Sequence, residues 1–193
     1  SDASGNADTM VKQLGLSGVQ FGNVKNGCAT GGSALYAVAS TIKAGEYDIG
    51  LAVGFDKHPR GAFNPLPEEW GLPDWYGAQG YMLTTQFFAM KIQRYMHDYG
   101  ITEMTLARVA EKAFRNGALN PNAWRKTPIS IDEILTSQMV NDPLRKYMFC
   151  SPSEGAVALL VCPASEAEKY TKTPIFVASC LMRTRRFGTL EVF

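Results

Sequence analysis

The stretch Asn26-Gly-Cys-Ala-Thr-Gly-Gly32 constrains the fold more than any other part of the chain. Val19, Phe21 and Val24 precede it as a strand, and Ala34, Leu35, Val38, Ala39 and Ile42 follow it at the spacing of one helix face until Gly45 stops them. The apolar run YDIGLAVGF comes next, long enough for a buried strand and too short for a helix pair. Strand, tight turn, helix, strand in this order predicts a βαβ unit. A parallel sheet follows from it, because parallel neighbours need a long crossover between them.

The rest of the chain is arranged around that unit. Residues 7–16 read as a helix with Met10, Val11 and Leu14 on one face, ended by Gly15 and Gly18. From Pro59 the composition changes to prolines, glycines and aromatics without a period, which reads as a loop leaving the core. Residues 78–99 predict a helix with Tyr81, Phe88, Ile92 and Tyr95 in one stripe and Leu83, Phe87 and Met90 beside it, so that much of its circumference should be covered. A second helix starts near Thr102, carries Leu106, Val109, Ala110 and Phe114, and stops near Gly117. A third opens with the capping box Ser130-Ile-Asp-Glu133 and should run to Asn141-Asp-Pro143. GAVALLVC and PIFVASCLM then resume the strand pattern on either side of SEAEKY, a short helical or irregular connection.

With 193 residues, 46% of them hydrophobic and 19% charged, the chain has the profile of a globular protein with one or two cores. A net charge of +1 supplies no electrostatic footprint for nucleic acid or an anionic membrane. No apolar run approaches the roughly 20 residues that span a bilayer, and the opening SDASGNADTM lacks the basic-then-apolar order of a signal peptide, so a cytoplasmic protein is expected. Cys28, Cys150, Cys162 and Cys180 form no CxxC pair and only His58 and His97 could add imidazole, which argues against a zinc site. Cys150, Cys162 and Cys180 sit in apolar, strand-like contexts, where a cysteine acts as a small buried hydrophobe.

Cys28 is different. Small residues flank it, which permits a sharp strand-to-helix turn, and such a turn aims the side chain at the helix N-terminus, where unpaired amides and the macrodipole favour an anion. The thiolate is the nucleophilic form of cysteine, and neighbouring amides can hold an oxyanion. The same glycines would equally serve a cysteine that only packs where a helix crosses a sheet. The local pattern leaves both open.

Strings of the form ENxCASG around a nucleophilic cysteine mark the thiolase family, and Asn26-Gly-Cys-Ala-Thr-Gly31 is similar to them. The QGY-containing helix ending HDYG, the ARVAEKAFRNGALNP helix, the SIDEI helix and FCSPSEGAVALLV occur in the same order as in sterol-carrier-protein-x-type and actinobacterial lipid-transfer thiolases, so the likeness covers nearly the whole chain. The resemblance implies an α/β, thiolase-like layered fold with a parallel or mixed sheet. Residues 1–57 and 148–193 would form part of the core and residues 58–147 a mostly helical loop domain, with both ends reading as cut. It also implies that Cys28 takes an acyl group from an acyl-CoA and passes it to CoA or a carbanion, its own backbone amide contributing to the oxyanion hole. Tyr81 and Met82 would line the pantetheine tunnel, although a buried helix face explains them as well. Coenzyme A or acyl-CoA is then a substrate, with no tightly bound cofactor and no metal, in a homodimer or homotetramer with room for a small accessory-domain partner. The family's Gly-His-Pro histidine, second acid/base cysteine and glycine-rich C-terminal loop would fall beyond residue 193.

His58 stands in a turn-like context and His97 in the last turn of a helix, where an imidazolium meets the C-terminal dipole, so neither replaces the missing histidine. Glu154 takes a place where many thiolases have aspartate and is expected to be structural, and Arg183-Thr-Arg-Arg186 reads as a solvated strand end. The expected function is an acyltransferase that cleaves or forms 3-ketoacyl-CoA in lipid or sterol metabolism. Two rivals stand beside it: a thiolase-like retro-aldolase for side-chain CoA esters, which the intact cysteine motif argues against, and a non-catalytic acyl-CoA-binding or scaffold subunit.

Overall fold

The structure, a computed structural model, describes residues 6–57, 66–81, 83–150 and 153–184. Helix α1 spans Asn6–Gln13; a 3-10 turn, Gly27–Ala29, leads into α2, Thr30–Lys43, and then into strand β1, Gly50–Lys57. A 3-10 turn at Pro67–Trp70 precedes the short α3, Trp75–Ala78, followed by α4, Thr84–Tyr99, α5, Glu103–Ala118, and α6, Ile131–Thr136. The small strands β2, Met139–Asn141, and β3, Leu144–Arg145, come next, then a 3-10 turn at Lys146–Met148, β4, Glu154–Val161, and a last 3-10 helix, Ala164–Lys169. The chain divides into two compact units, Ser1–His58 with Glu154–Arg186, and Pro59–Ser153 with Phe187–Phe193.

In the first unit α2 lies on a two-stranded sheet. β1 and β4 pair antiparallel, from Gly50 opposite Val161 to Lys57 opposite Glu154. Ala39 of α2 and Ala52 of β1 are buried between them, with Ala34, Leu35, Val38 and Ile42 half-buried. Gly50 sets how close the layers come: a Cβ there would lie 2.5 Å from Val38 Cγ1. The helix face foreseen in the sequence is therefore the one that packs.

The strand expected through Val19, Phe21 and Val24 forms no ladder, and neither does PIFVASCLM, so the parallel pairing of a βαβ unit gives way, among the described residues, to the antiparallel pair. An extended segment becomes a strand only when a neighbour takes its amides and carbonyls. Phe21 is 52% exposed and Ile175 95%, and neither segment has a strand partner among the described residues. Cys180 shares that setting and is only half-buried, as is Cys162, while Cys150 is exposed. The buried-hydrophobe expectation therefore fails for all three cysteines.

The second unit builds its core on α5 and α6. Ala107, Ala110 and Ile134 are buried, with Ile129, Ile131, Leu135, Tyr147 and Met148 packed around them and the Phe114 ring meeting Tyr147 edge-on at 5.9 Å. Ala107, Ala110 and Phe114 recur at helical spacing; Val109, expected on that face, is 61% exposed. The capping box forms as read: the Glu133 amide donates to Ser130 Oγ, and the Ser130 amide to Glu133 Oε2 at 2.9 Å. α6 is shorter than expected, because Ser137 adopts extended backbone (φ −67, ψ 158) and starts the run into the β2–β3 hairpin. Arg145 is pinned behind it, donating to Glu103 Oε2 and to the Ser137 carbonyl, each at 3.2 Å.

The helix expected over residues 78–99 is broken. Gly80 has φ +78, a left-handed conformation that ends the turn after α3, and Leu83 is extended where it caps α4. Phe88 and Tyr95 stay about half-exposed, so the stripe expected to be covered is not. Gln93 on the same helix donates to both the carbonyl and the carboxylate of Asp142, at 2.9 and 3.0 Å, tying α4 to the hairpin.

Candidate active site

Cys28 occupies the middle of the 3-10 turn that runs straight into the 14-residue helix α2, and it is exposed. The turn is possible because Gly27 takes φ +51, where a side chain would be strained, and because nothing lies within 4 Å of where Cβ atoms would stand on Gly27, Gly31 and Gly32. The thiol thus stands in open space at a helix N-terminus, where backbone amides and the macrodipole attract negative charge. The turn into a helix expected for Cys28 is therefore present, although no strand precedes it among the described residues.

A set of hydrogen bonds holds the turn from both sides. The Asn26 amide donates to Thr30 Oγ1 at 2.9 Å, and the Thr30 hydroxyl donates to the Gly27 carbonyl at 2.7 Å. The Ala29 amide returns to the Asn26 carbonyl at 3.0 Å. The Asn26 side-chain amide reaches forward to Ser33 Oγ at 2.8 Å, and Ser33 is buried one turn into α2. Met182, far along the chain, brings its sulfur within 3.5 Å of Ser33 Oγ and 3.8 Å of Asn26 Nδ2. None of the side chains bonded into this turn is a general base.

Tyr81 lies in the second unit, not on a helix but in the turn after α3. Its ring stands edge-on to Trp75 and Tyr76 at 6.2 Å from each, over a shallow hollow of about 300 Å³ that Gln86, Met90, Gln93 and Asp142 also line. Met82 and His58 lie outside the described residues, as do Arg185 and Arg186. His97 ends α4 on the surface with Nδ1 3.0 Å from Asp98 Oδ1; hydrogen bonds from His97 and Arg94 hold the Asp98 carboxyl below the usual range. That is a surface pair with no reacting group beside it. Glu154 begins β4 and faces Lys57 at 3.9 Å, both well exposed, a pair of the kind that contributes little to stability. Arg183 is exposed in irregular chain rather than at a strand end.

Sequence reasoning missed Asn26, Thr30 and Ser33 as a group. The available signal was the polar Ser33 in the first turn of an otherwise largely apolar helix, seven residues after an asparagine outside the helix. Met182 had none, since nothing in the spacing links it to residue 26.

No family model matches the chain. It is similar to the acetyl-CoA acetyltransferase of Methanothermobacter thermautotrophicus, 35% identical over 87% of this chain and 44% of that protein. It is also similar to the benzoylsuccinyl-CoA thiolase subunit BbsB of Thauera aromatica, 32% identical over 91% of this chain and 46% of the relative, and to sterol carrier protein 2 of Bos taurus, 28% identical over 90% and 34%. Among solved structures it superimposes on an Ltp2-ChsH2(DUF35) aldolase with a TM-score of 0.66 at 23% identity, over 86% of this chain and 44% of that one. The fold is thiolase-like α/β, and the resemblance to the thiolase superfamily extends along nearly the whole chain. The chain spans less than half the length of these relatives.

Proposed function

We propose that this chain carries the nucleophile of a thiolase-type acyltransferase, with Cys28 as the residue that becomes acylated. The observation that supports the reading most is Cys28 itself, exposed on a glycine-shaped turn at the start of α2, within a sequence similar to acetyl-CoA acetyltransferases. In the thiolytic direction the Cys28 thiolate attacks the 3-keto carbon of a 3-ketoacyl-CoA. The bond between C2 and C3 breaks, acetyl-CoA leaves as a carbanion that is protonated, and the acyl group stays on sulfur. A CoA thiol then attacks that thioester, giving the shortened acyl-CoA and the free Cys28 thiol. The amides at the start of α2 and at Cys28 would hold the oxyanion at each attack, while the proton donor and acceptor must come from residues outside this turn. Lipid or sterol breakdown or synthesis is the setting, with CoA esters as substrates, no tightly bound cofactor, and a homodimeric or homotetrameric cytoplasmic enzyme. The second unit serves as the loop domain, with Tyr81 and Met82 as contacts of the pantetheine arm. Incubation of the full-length protein with acetyl-CoA or acetoacetyl-CoA should place an acyl group on the Cys28 peptide, seen by mass spectrometry, and Cys28→Ala should abolish transfer.

A second reading, a thiolase-like retro-aldolase, draws on the structural likeness to the Ltp2-ChsH2(DUF35) aldolase. It needs no thioester, so retro-aldol cleavage of a side-chain CoA ester that survives Cys28→Ala would favour it over acyl transfer.

A further inference from the structure

We propose that Asn26 is a positioning residue for Cys28, working with Thr30 and Ser33 as a clamp that fixes the turn carrying the thiol. The inference rests on the reading of Cys28 as the nucleophile and adds what keeps it presented. The clamp has two arms. In the first, Thr30 Oγ1 accepts from the Asn26 backbone amide at 2.9 Å and donates to the Gly27 carbonyl at 2.7 Å, so a single hydroxyl closes the loop of chain around Cys28. In the second, the Asn26 carboxamide donates to Ser33 Oγ at 2.8 Å, anchoring the turn to the first full turn of α2.

Ser33 makes a good anchor because it is 7% exposed and its hydroxyl is used twice, accepting from Asn26 and donating to the Met182 sulfur at 3.5 Å. A buried hydroxyl that loses a partner is costly, so the arrangement resists loosening. The turn needs such help. Gly27 is in the left-handed region and the flanking glycines offer no packing, so little besides these hydrogen bonds distinguishes one orientation of the thiol from another. None of the three polar side chains is the nucleophile; they act through Cys28, where small misplacements of a reacting atom have large effects on rate.

The test is competitive alkylation of the full chain by iodoacetamide, with the Cys28 and Cys150 peptides quantified by mass spectrometry. Cys150 is exposed, lies outside the clamp, and serves as the internal reference. Asn26→Ala and Thr30→Val should lower the Cys28-to-Cys150 ratio several-fold to about tenfold, the scale of losing a hydrogen bond or two. Thr30→Ser keeps the hydroxyl and should stay within about twofold of the parent, a rescue that a merely space-filling role for Thr30 would not produce. If Asn26→Ala fails to fold, the Thr30→Val and Thr30→Ser pair decides alone. A ratio that is unchanged or raised in Thr30→Val, or that falls as far in Thr30→Ser, overturns the clamp. Acylation of the parent by acetyl-CoA is scored separately, so a nucleophile that never forms a thioester is told apart from a clamp that does not exist.

Discussion

The two units solve the same problem of burying apolar surface with different success. Around α5 and α6 the second unit encloses Ala107 and Ile134 completely, and its helix end is capped by its own side chains. The first unit lays α2 against β1, where Ala52 is buried, but Val157 and Leu159 on the same face of β4 are 64% and 46% exposed, and Leu51, Phe55 and Leu160 on the opposite face are 44%, 45% and 54% exposed. The face is apolar along its length, since Val53, Ala158 and Ala156 share it. One unit therefore draws its stability from its own packing, while the other presents Cys28 on a scaffold whose sheet is largely uncovered. Open sheet edges and exposed apolar faces of this kind promote association.

The largest change expected from breaking that comparison is at Ile134. Ile134→Ala should destabilise the second unit by about 2–5 kcal/mol, read as a lowered urea midpoint for probes in α5 and α6, whereas iodoacetamide modification of Cys28 under native conditions should be unaffected. Next is Gly50→Val, which pushes methyl groups into Val38 and should cost about 1–3 kcal/mol through overpacking. Adding Val38→Ala should recover most of that loss, which a purely conformational effect at Gly50 would not allow. Ser130→Ala removes the cap of α6 and should cost about 0.5–2 kcal/mol by the same unfolding measurement.

The capping box also sets a pH dependence. Hydrogen bonds from the Ser130 amide and hydroxyl hold the Glu133 carboxyl below its ordinary value. The unfolded chain therefore takes up this proton first as pH falls. The stabilisation is present above the usual glutamate range and is lost as pH drops through the lowered folded value. Acid titration of the unfolding midpoint should show that loss in the parent and less of it in Ser130→Ala. The smallest effect is expected on the exposed face of the sheet: Phe55→Ser should change the stability of the chain by no more than about 0.5 kcal/mol, yet reduce self-association in sedimentation measurements.

What was legible in the sequence follows the same division. α2, α5, the capping box and the glycine turn at Cys28 could be read because each is fixed by residues within one or two helical turns of one another. β1 and β4 were legible as strands, but their antiparallel partnership was not, since alternation along a strand says nothing about which neighbour it takes. The segments through Phe21 and Ile175 carry strand composition without a strand, because pairing is a property of two segments and neither finds a ladder partner among the described residues. The break between α3 and α4 turned on Gly80 adopting a left-handed conformation, which an apolar stripe running past it conceals. At the site, the small neighbours of Cys28 made its turn legible but left its role open, whereas the Met182 sulfur joins Asn26 and Ser33 only through the folded chain.

The central claim is that Cys28 accepts an acyl group, and peptide mass spectrometry after incubation of the full-length protein with acetoacetyl-CoA tests it most directly. The account predicts an acetyl adduct on the peptide containing Cys28, labile to hydroxylamine as a thioester is, and absent in Cys28→Ala. An adduct confined to Cys150, Cys162 or Cys180, or no adduct on a Cys28 that iodoacetamide still modifies, would contradict it.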